Sequence, residues 1–166
     1  MGHKISLLYT WFVRTLLILL PDHPVVMRFR GLLYGFCMPR CGVDFQVSAS
    51  AILRNLENIH VGQNVYIAPN VVINAITSIT LEDEVMIGFN SVLVSGNHTL
   101  VDGSYRYGKS KVKQIIIGKG SWIAANCTVI AGTKLAEGSL LAANSSISGE
   151  FVDTGIYGGV PARKIK

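Results

Sequence analysis

From Cys41 onward, stepping by six residues lands on an aliphatic side chain almost every time. Two short inserts, at Ile59-His60 and Ile79-Thr80, and one longer insert after His98 are all the allowance this needs. The stepping positions are Cys41, Val47, Leu53, Val61, Ile67, Ile73, Leu81, Ile87, Leu93, Ile117, Ile123, Val129, Leu135, Leu141 and Ile147, and fourteen of the fifteen are Val, Ile or Leu. Three residues further on stand Asn64, Asn70, Asn90, Gly96, Gly120, Asn126, Gly132, Gly138 and Asn144. Asn and Gly tolerate a left-handed backbone best, so these positions read as corners. The residue four places after each step is small or branched, as in Val65, Val71, Thr77, Val85, Ser91, Ser121, Cys127, Thr133, Ser139 and Ser145. A six-residue repeat cannot bury its apolar side alone. Three such repeats predict a triangular coil of three short strands, and the coils must stack as a solenoid. About five coils at about 4.8 Å per stacked strand give a prism roughly 24 Å tall.

The N-terminal part follows a different period. Residues 5 to 20 are apolar almost all round and stop at Pro21, which predicts a helix with a hard end. The run falls short of the roughly 20 residues that cross a bilayer and contains Arg14, so it points to lodging at a membrane interface or burial against a partner subunit. A second amphipathic helix is expected over 25 to 38, capping the open first coil. The expected organisation is thus an N-terminal helical cap, residues 1 to 40, and a β-solenoid, residues 41 to 166, with an insertion at 99 to 114.

Composition adds a partner class. Charged residues make up only 15% of the 166, and the net charge is +5 with a pI near 9.2. Low charge suggests apolar surface hidden in an oligomer or against a membrane. The basic balance favours an anionic partner, such as a phosphate-bearing cofactor, an acidic glycan or anionic lipid. No recognition helix, zinc spacing or aromatic RNA motif accompanies it, which argues against nucleic acid. Three cysteines, Cys37, Cys41 and Cys127, form no even framework, and no cleavable signal is evident, so a reducing cytoplasm is the expected setting, with no metal.

The hexapeptide rhythm, the segment Ser121-Trp122-Ile123-Ala124-Ala125-Asn126-Cys127-Thr128-Val129-Ile130-Ala131-Gly132 and the ending Gly158-Gly159-Val160-Pro161-Ala162-Arg163 resemble the hexapeptide-repeat acyltransferases. The likeness is to their maltose, galactoside, xenobiotic and polysaccharide O-acetyltransferase branch. That resemblance implies an all-β fold, a left-handed parallel β-helix, with acetyl-CoA as donor, a homotrimer as the active unit and a saccharide or lipid-linked glycan as acceptor.

Among four histidines only His98 stands at the base of the long insert, where an excursion from a rigid scaffold shapes a cleft. A neutral imidazole suits the removal of a proton from a sugar hydroxyl. The resemblance gives the matching histidine that role, so His98 is the expected general base. Asn97 either orients a ligand or closes the turn, and Asn74, one coil earlier, is a candidate acceptor contact. Tyr105 and Tyr107 either stack on a sugar or pack on a neighbouring subunit. Lys109, Lys111 and Lys113 form a solvated edge or draw in anions.

Cofactor contacts follow from matching positions. Ala124, Ala142 and Ala143 fall where similar enzymes hold pantetheine, and Trp122 flanks that arm. Ser148 and Pro161 fall at the adenine end, with Arg163 and Lys164 near the ribose phosphate. Gly149-Glu150 departs from the family, which usually has Lys or Arg just after the serine. Two other readings compete with acyl transfer. A γ-type carbonic anhydrase needs three histidines converging on zinc, and the repeats hold only His60 and His98. A non-enzymatic β-helix that recognises a partner needs neither the His98 insert nor the Pro161-Ala162-Arg163 ending.

Overall fold

The computed structural model describes residues 3–166. Helices α1 (His3–Leu17) and α2 (Pro24–Gly35) precede the coils. Coil one is β1 (Arg40–Cys41), β2 (Gln46–Val47) and β3 (Ile52–Arg54), and coil two is β4 (Ile59–Val61), β5 (Tyr66–Ile67) and β6 (Val72–Asn74). Coil three is β7 (Ile79–Leu81), β8 (Met86–Ile87) and β9 (Val92–Val94), after which β10 (Gly96–Asn97) and β11 (Lys111–Val112) leave the solenoid as a hairpin. Coil four is β12 (Ile115–Ile117), β13 (Trp122–Ile123) and β14 (Thr128–Ile130), and coil five is β15 (Lys134–Leu135), β16 (Leu140–Leu141) and β17 (Ser146–Ile147). A partial sixth coil, β18 (Glu150–Phe151) and β19 (Ile156–Gly159), is closed by β20 (Ala162–Lys164).

The strands form three walls. Wall one runs β1-β4-β7-β12-β15-β18, wall two runs β2-β5-β8-β13-β16-β19-β20, and wall three runs β3-β6-β9-β14-β17. All neighbours along the walls are parallel except β19 and β20. Every stepping residue stacks on its counterpart. Cys41, Val61, Leu81, Ile117 and Leu135 stand in register on wall one. Val47, Ile67, Ile87, Ile123 and Leu141 do so on wall two, and Leu53, Ile73, Leu93, Val129 and Ile147 on wall three. The sixth coil adds Phe151 below Leu135 and Tyr157 below Leu141, packed edge to face with ring centroids 4.9 Å apart. These two aromatics plug the lower end.

Eight of the nine expected corner residues have positive φ. Gly96 does not, because the chain leaves the coil there and runs extended into β10. Asp44 and Glu84 take the left-handed corner after wall one instead of Asn or Gly. The buried serines at the +4 positions tie one coil to the next. Ser91 Oγ donates to the carbonyl of Ala124 at 2.8 Å and accepts from the N–H of Cys127 at 3.1 Å. Ser121 does the same between Ala136 and Ser139. Ser91→Ala would strand both backbone groups in a dry interior. It is expected to destabilise the fold by about 2 kcal/mol, which a shift of the urea midpoint at constant slope would report.

The cap shares the solenoid's core, since Val13, Leu17, Tyr34 and Met38 belong to one buried cluster with the coil residues. Helix α2 crosses coil one so closely that a Cβ on Gly31 would meet the Phe45 carbonyl oxygen at 1.8 Å. The guanidinium of Arg30 is buried beneath it. Its Nη1 donates to Asp22 Oδ1 at 2.7 Å and to the Val47 carbonyl, and its Nη2 to the carbonyls of Leu17, Leu20 and Pro21. This accounts for α1 ending at Leu17 rather than at residue 20, because Arg30 takes the carbonyls of the turn that follows. Asp22 continues the link by accepting from Ser48 Oγ at 2.6 Å and the Ala49 N–H at 2.8 Å.

Candidate active site

His98 follows β10 directly, at the foot of the hairpin. Gly96 pairs with Val112 and Asn97 with Lys111, so strand pairing begins before the expected insertion and holds its base firmly. Lys113 N–H donates to the Ser95 carbonyl at 3.0 Å, and Thr99 Oγ1 to the Lys109 carbonyl at 2.7 Å. The tip turns at Asp102-Gly103, both with positive φ, between the bridged Val101 and Ser104. Asp-Gly is the sequence mark of a type I′ hairpin turn. That signal makes the insert legible as a hairpin rather than a loop. The His98 ring is exposed, and no side-chain hydrogen bond holds it among the described residues.

The other acceptor-side candidates are partly gathered here. Asn74 ends β6, in register with Val94, and its carbonyl accepts from the N–H of Ser95, where the chain departs toward His98. Asn97 lies in the hairpin and is exposed. Tyr105 and Tyr107 sit far out on the hairpin at 62% and 79% exposure, and the Arg106 guanidinium lies 5.8 Å from the Tyr107 ring centre. In the single chain they are therefore free to meet a ligand or a second copy. Lys109 and Lys111 are exposed, and the stem of Lys113 lies over Gly132.

Wall two carries the cofactor-side candidates. Trp122 and Leu140 pair in register, as do Ile123 and Leu141, which sets Ala124 above Ala142 one residue further on. Ala68 and Gly88 extend this row upward, each backbone N–H donating to the coil below, and Gly158 extends it downward. Side chains this small leave a shallow channel along the prism. Beside it Tyr66, Met86, Phe89 and Trp122 line an apolar cleft of about 160 Å³. Sequence reasoning reached Trp122 and missed the other three. The available signal was position, since Tyr66, Met86, Trp122 and Leu140 each immediately precede a stepping residue of wall two and so face outward.

At the channel's lower end Arg163 pairs in register with Gly158, and Pro161 lies at the turn between β19 and β20. Lys164 Nζ lies 3.9 Å from Asp153 Oδ2. Ala143 and Ser148 are exposed near the corners flanking wall three. Gly149, with φ 98°, turns the chain onto wall one, where Glu150 stands in register with Lys134. Glu150 thus stands on another wall, and the basic group at the channel's end is Arg163.

The sequence profile described as "hexapeptide repeat of succinyl-transferase" matches residues 114–148. The galactoside O-acetyltransferase of Escherichia coli K12 is 28% identical over 145 residues, covering 87% of this chain and 71% of that protein. WbbJ of the same strain, provisionally named a lipopolysaccharide biosynthesis O-acetyl transferase, is 26% identical over 66% of this chain and 58% of its own length. Among solved structures, a hexapeptide-repeat acetyltransferase of Vibrio cholerae O1 biovar eltor, complexed with acetyl coenzyme A, superposes with a TM-score of 0.83 at 21% identity, over 98% of this chain and 87% of that one. A maltose O-acetyltransferase of Clostridium difficile 630 gives the same TM-score at 20% identity, over 98% and 86%. In its stacked triangular coils and its hexapeptide match the chain is similar to these acetyltransferases.

Proposed function

We propose that this chain is an acetyl-CoA-dependent O-acetyltransferase acting on a saccharide hydroxyl in capsule, O-antigen or exopolysaccharide assembly. The observation that carries the reading is the placement of His98 at the foot of a pinned hairpin, on a solenoid whose relatives are named for O-acetyl transfer. Acetyl coenzyme A supplies an acetyl group activated as a thioester. His98 takes the proton of the acceptor hydroxyl as its oxygen attacks the acetyl carbonyl. The imidazolium then gives that proton to the sulfur as the carbon–sulfur bond breaks, so charge and protons balance. Backbone N–H groups at the slot stabilise the oxyanion.

The channel of Ala124 and Ala142 fits an extended pantetheine arm, with Trp122 alongside and Ala143 at the next corner. Ser148 and Pro161 flank the adenine end, and Arg163 and Lys164 meet phosphate. Asn74, Asn97, Tyr105 and Tyr107 contact the acceptor. The enzyme is a homotrimer in this reading, because the outward row of Tyr66, Met86 and Trp122 is apolar and uncovered in the single chain. It works in the cytoplasm at the inner face of the membrane.

Two measurements test this. Coenzyme A at about 100 times its dissociation constant should stabilise the protein by about 2.7 kcal/mol, visible as a raised melting temperature. Thiol release from acetyl-CoA should appear with at least one member of a panel of bacterial glycans. Absence of both effects would return the chain to the scaffold reading.

A further inference from the structure

Helix α1 is amphipathic in the opposite sense to a helix that simply closes a core. Its inward face, at i, i+4, i+7 and i+11, carries Ser6, Thr10, Val13 and Leu17. Two of these four are hydroxyl residues. Outward stand Ile5, Leu8, Trp11, Phe12 and Leu16, each more than half exposed. Helix α2 packs beside it, with Tyr9 O–H donating to the Leu33 carbonyl at 2.8 Å, and it projects its own stripe of Val25, Phe29, Leu32 and Phe36 at the same helical spacing. Nine large apolar side chains facing water on two adjacent helices mark an interaction surface. Among the described residues no helix is long and apolar enough to cross a membrane.

Charge identifies the partner. Residues 1 to 43 hold five basic residues against one acidic, a net +4 of the chain's +5. A groove of about 260 Å³ opens beside the α1 stripe, lined by Leu7, Thr10, Trp11, Arg14, Ile52 and Arg54. Both arginines are exposed, and neither forms an ion pair within the chain among the described residues. Two exposed guanidinium groups in one groove, edged by a tryptophan, are the donors a phosphate headgroup needs. A second copy docking by a two-fold axis, patch to patch, would set these cations against their own kind.

We propose that the two-helix cap docks on an anionic bilayer. The apolar stripes enter the headgroup–acyl boundary, and a lipid phosphate seats between Arg14 and Arg54. This supplies a device for the inner-face placement above, and it stands whether or not acetyl transfer is confirmed, because its readout is binding alone.

The test is co-sedimentation of the full chain with vesicles of phosphatidylglycerol mixed into phosphatidylcholine, against pure phosphatidylcholine. The chain should pellet with the anionic vesicles, and less so as salt rises. The pair Trp11→Ser and Phe29→Ser, one from each helix, should weaken binding about tenfold or more. The pair Arg14→Gln and Arg54→Gln should weaken it about tenfold for anionic vesicles and leave the neutral ones unchanged. A chain that stays in the supernatant, or binding indifferent to both pairs, overturns the proposal. So does loss of assembly by light scattering in the Trp11/Phe29 variant without any vesicle binding by the unaltered chain, which would assign the face to another copy.

Discussion

Replacing His98 by Ala is expected to lower acetyl-CoA-dependent thiol release by about 10²- to 10⁴-fold, the span attributed to a positioned general base. Stability should change by no more than about 0.5 kcal/mol. The separation follows from the geometry. His98 is exposed and makes no side-chain hydrogen bond among the described residues, while the hairpin beneath it is fixed by the pairings of Gly96 with Val112 and Asn97 with Lys111. Deleting the ring therefore removes chemistry and leaves its platform standing. Single-turnover rates, unfolding midpoints and light scattering on one preparation would read all three quantities. Undiminished turnover would sink the assignment of the base.

The second large effect is structural. Arg30→Ala should cost about 3–5 kcal/mol, the range for breaking a buried ion pair from one side, or roughly 10 °C in melting temperature for a chain of this size. Arg30 is 2% exposed and donates to four backbone carbonyls as well as Asp22, so its loss strands several acceptors at once. Burial alone would push the Asp22 carboxyl up. The bonds from Ser48 and the Ala49 N–H, with the Arg30 charge, together outweigh this and hold it below the ordinary carboxylate value. A lowered folded pKa means that the unfolded chain binds more protons in acid, so stability rises with pH there. The contribution is complete above the ordinary Asp value near 4 and is lost as pH falls through the depressed one. Asp22→Asn should flatten that acid limb, and an unchanged limb would show that the acid transition lies elsewhere.

The repeats were legible because one six-residue rule governs inward side chain, corner and small buried residue together, and each has its own physical cause. The rule failed where that logic was suspended. Phe151 follows Ile147 after four residues instead of six and is aromatic, so the last partial coil has neither the spacing nor the residue type. Gly96 looked like a corner by spacing, but the chain exits there. Nothing local to Arg30 announces that carbonyls nine to thirteen residues upstream will converge on it. The position of His98 was readable from the insert beside it. Tyr66 and Met86 face outward by their position before a stepping residue, but Phe89 does not precede one and joins them at Trp122 only through the stacking of coils.

Wall three has a geometric consequence for what the enzyme can reach. Arg54 on β3, Asn74 on β6 and Val94 on β9 form one register line, and His98 follows four residues after Val94. Two strand steps at about 4.8 Å place the two ends of that line about 10 Å apart. On the proposed assignments the prism is a ruler, graduated in whole coils, between the lipid anchor and the reacting hydroxyl. Adding or deleting one coil would move the point of modification along a glycan by a fixed increment while both working ends stayed as they are.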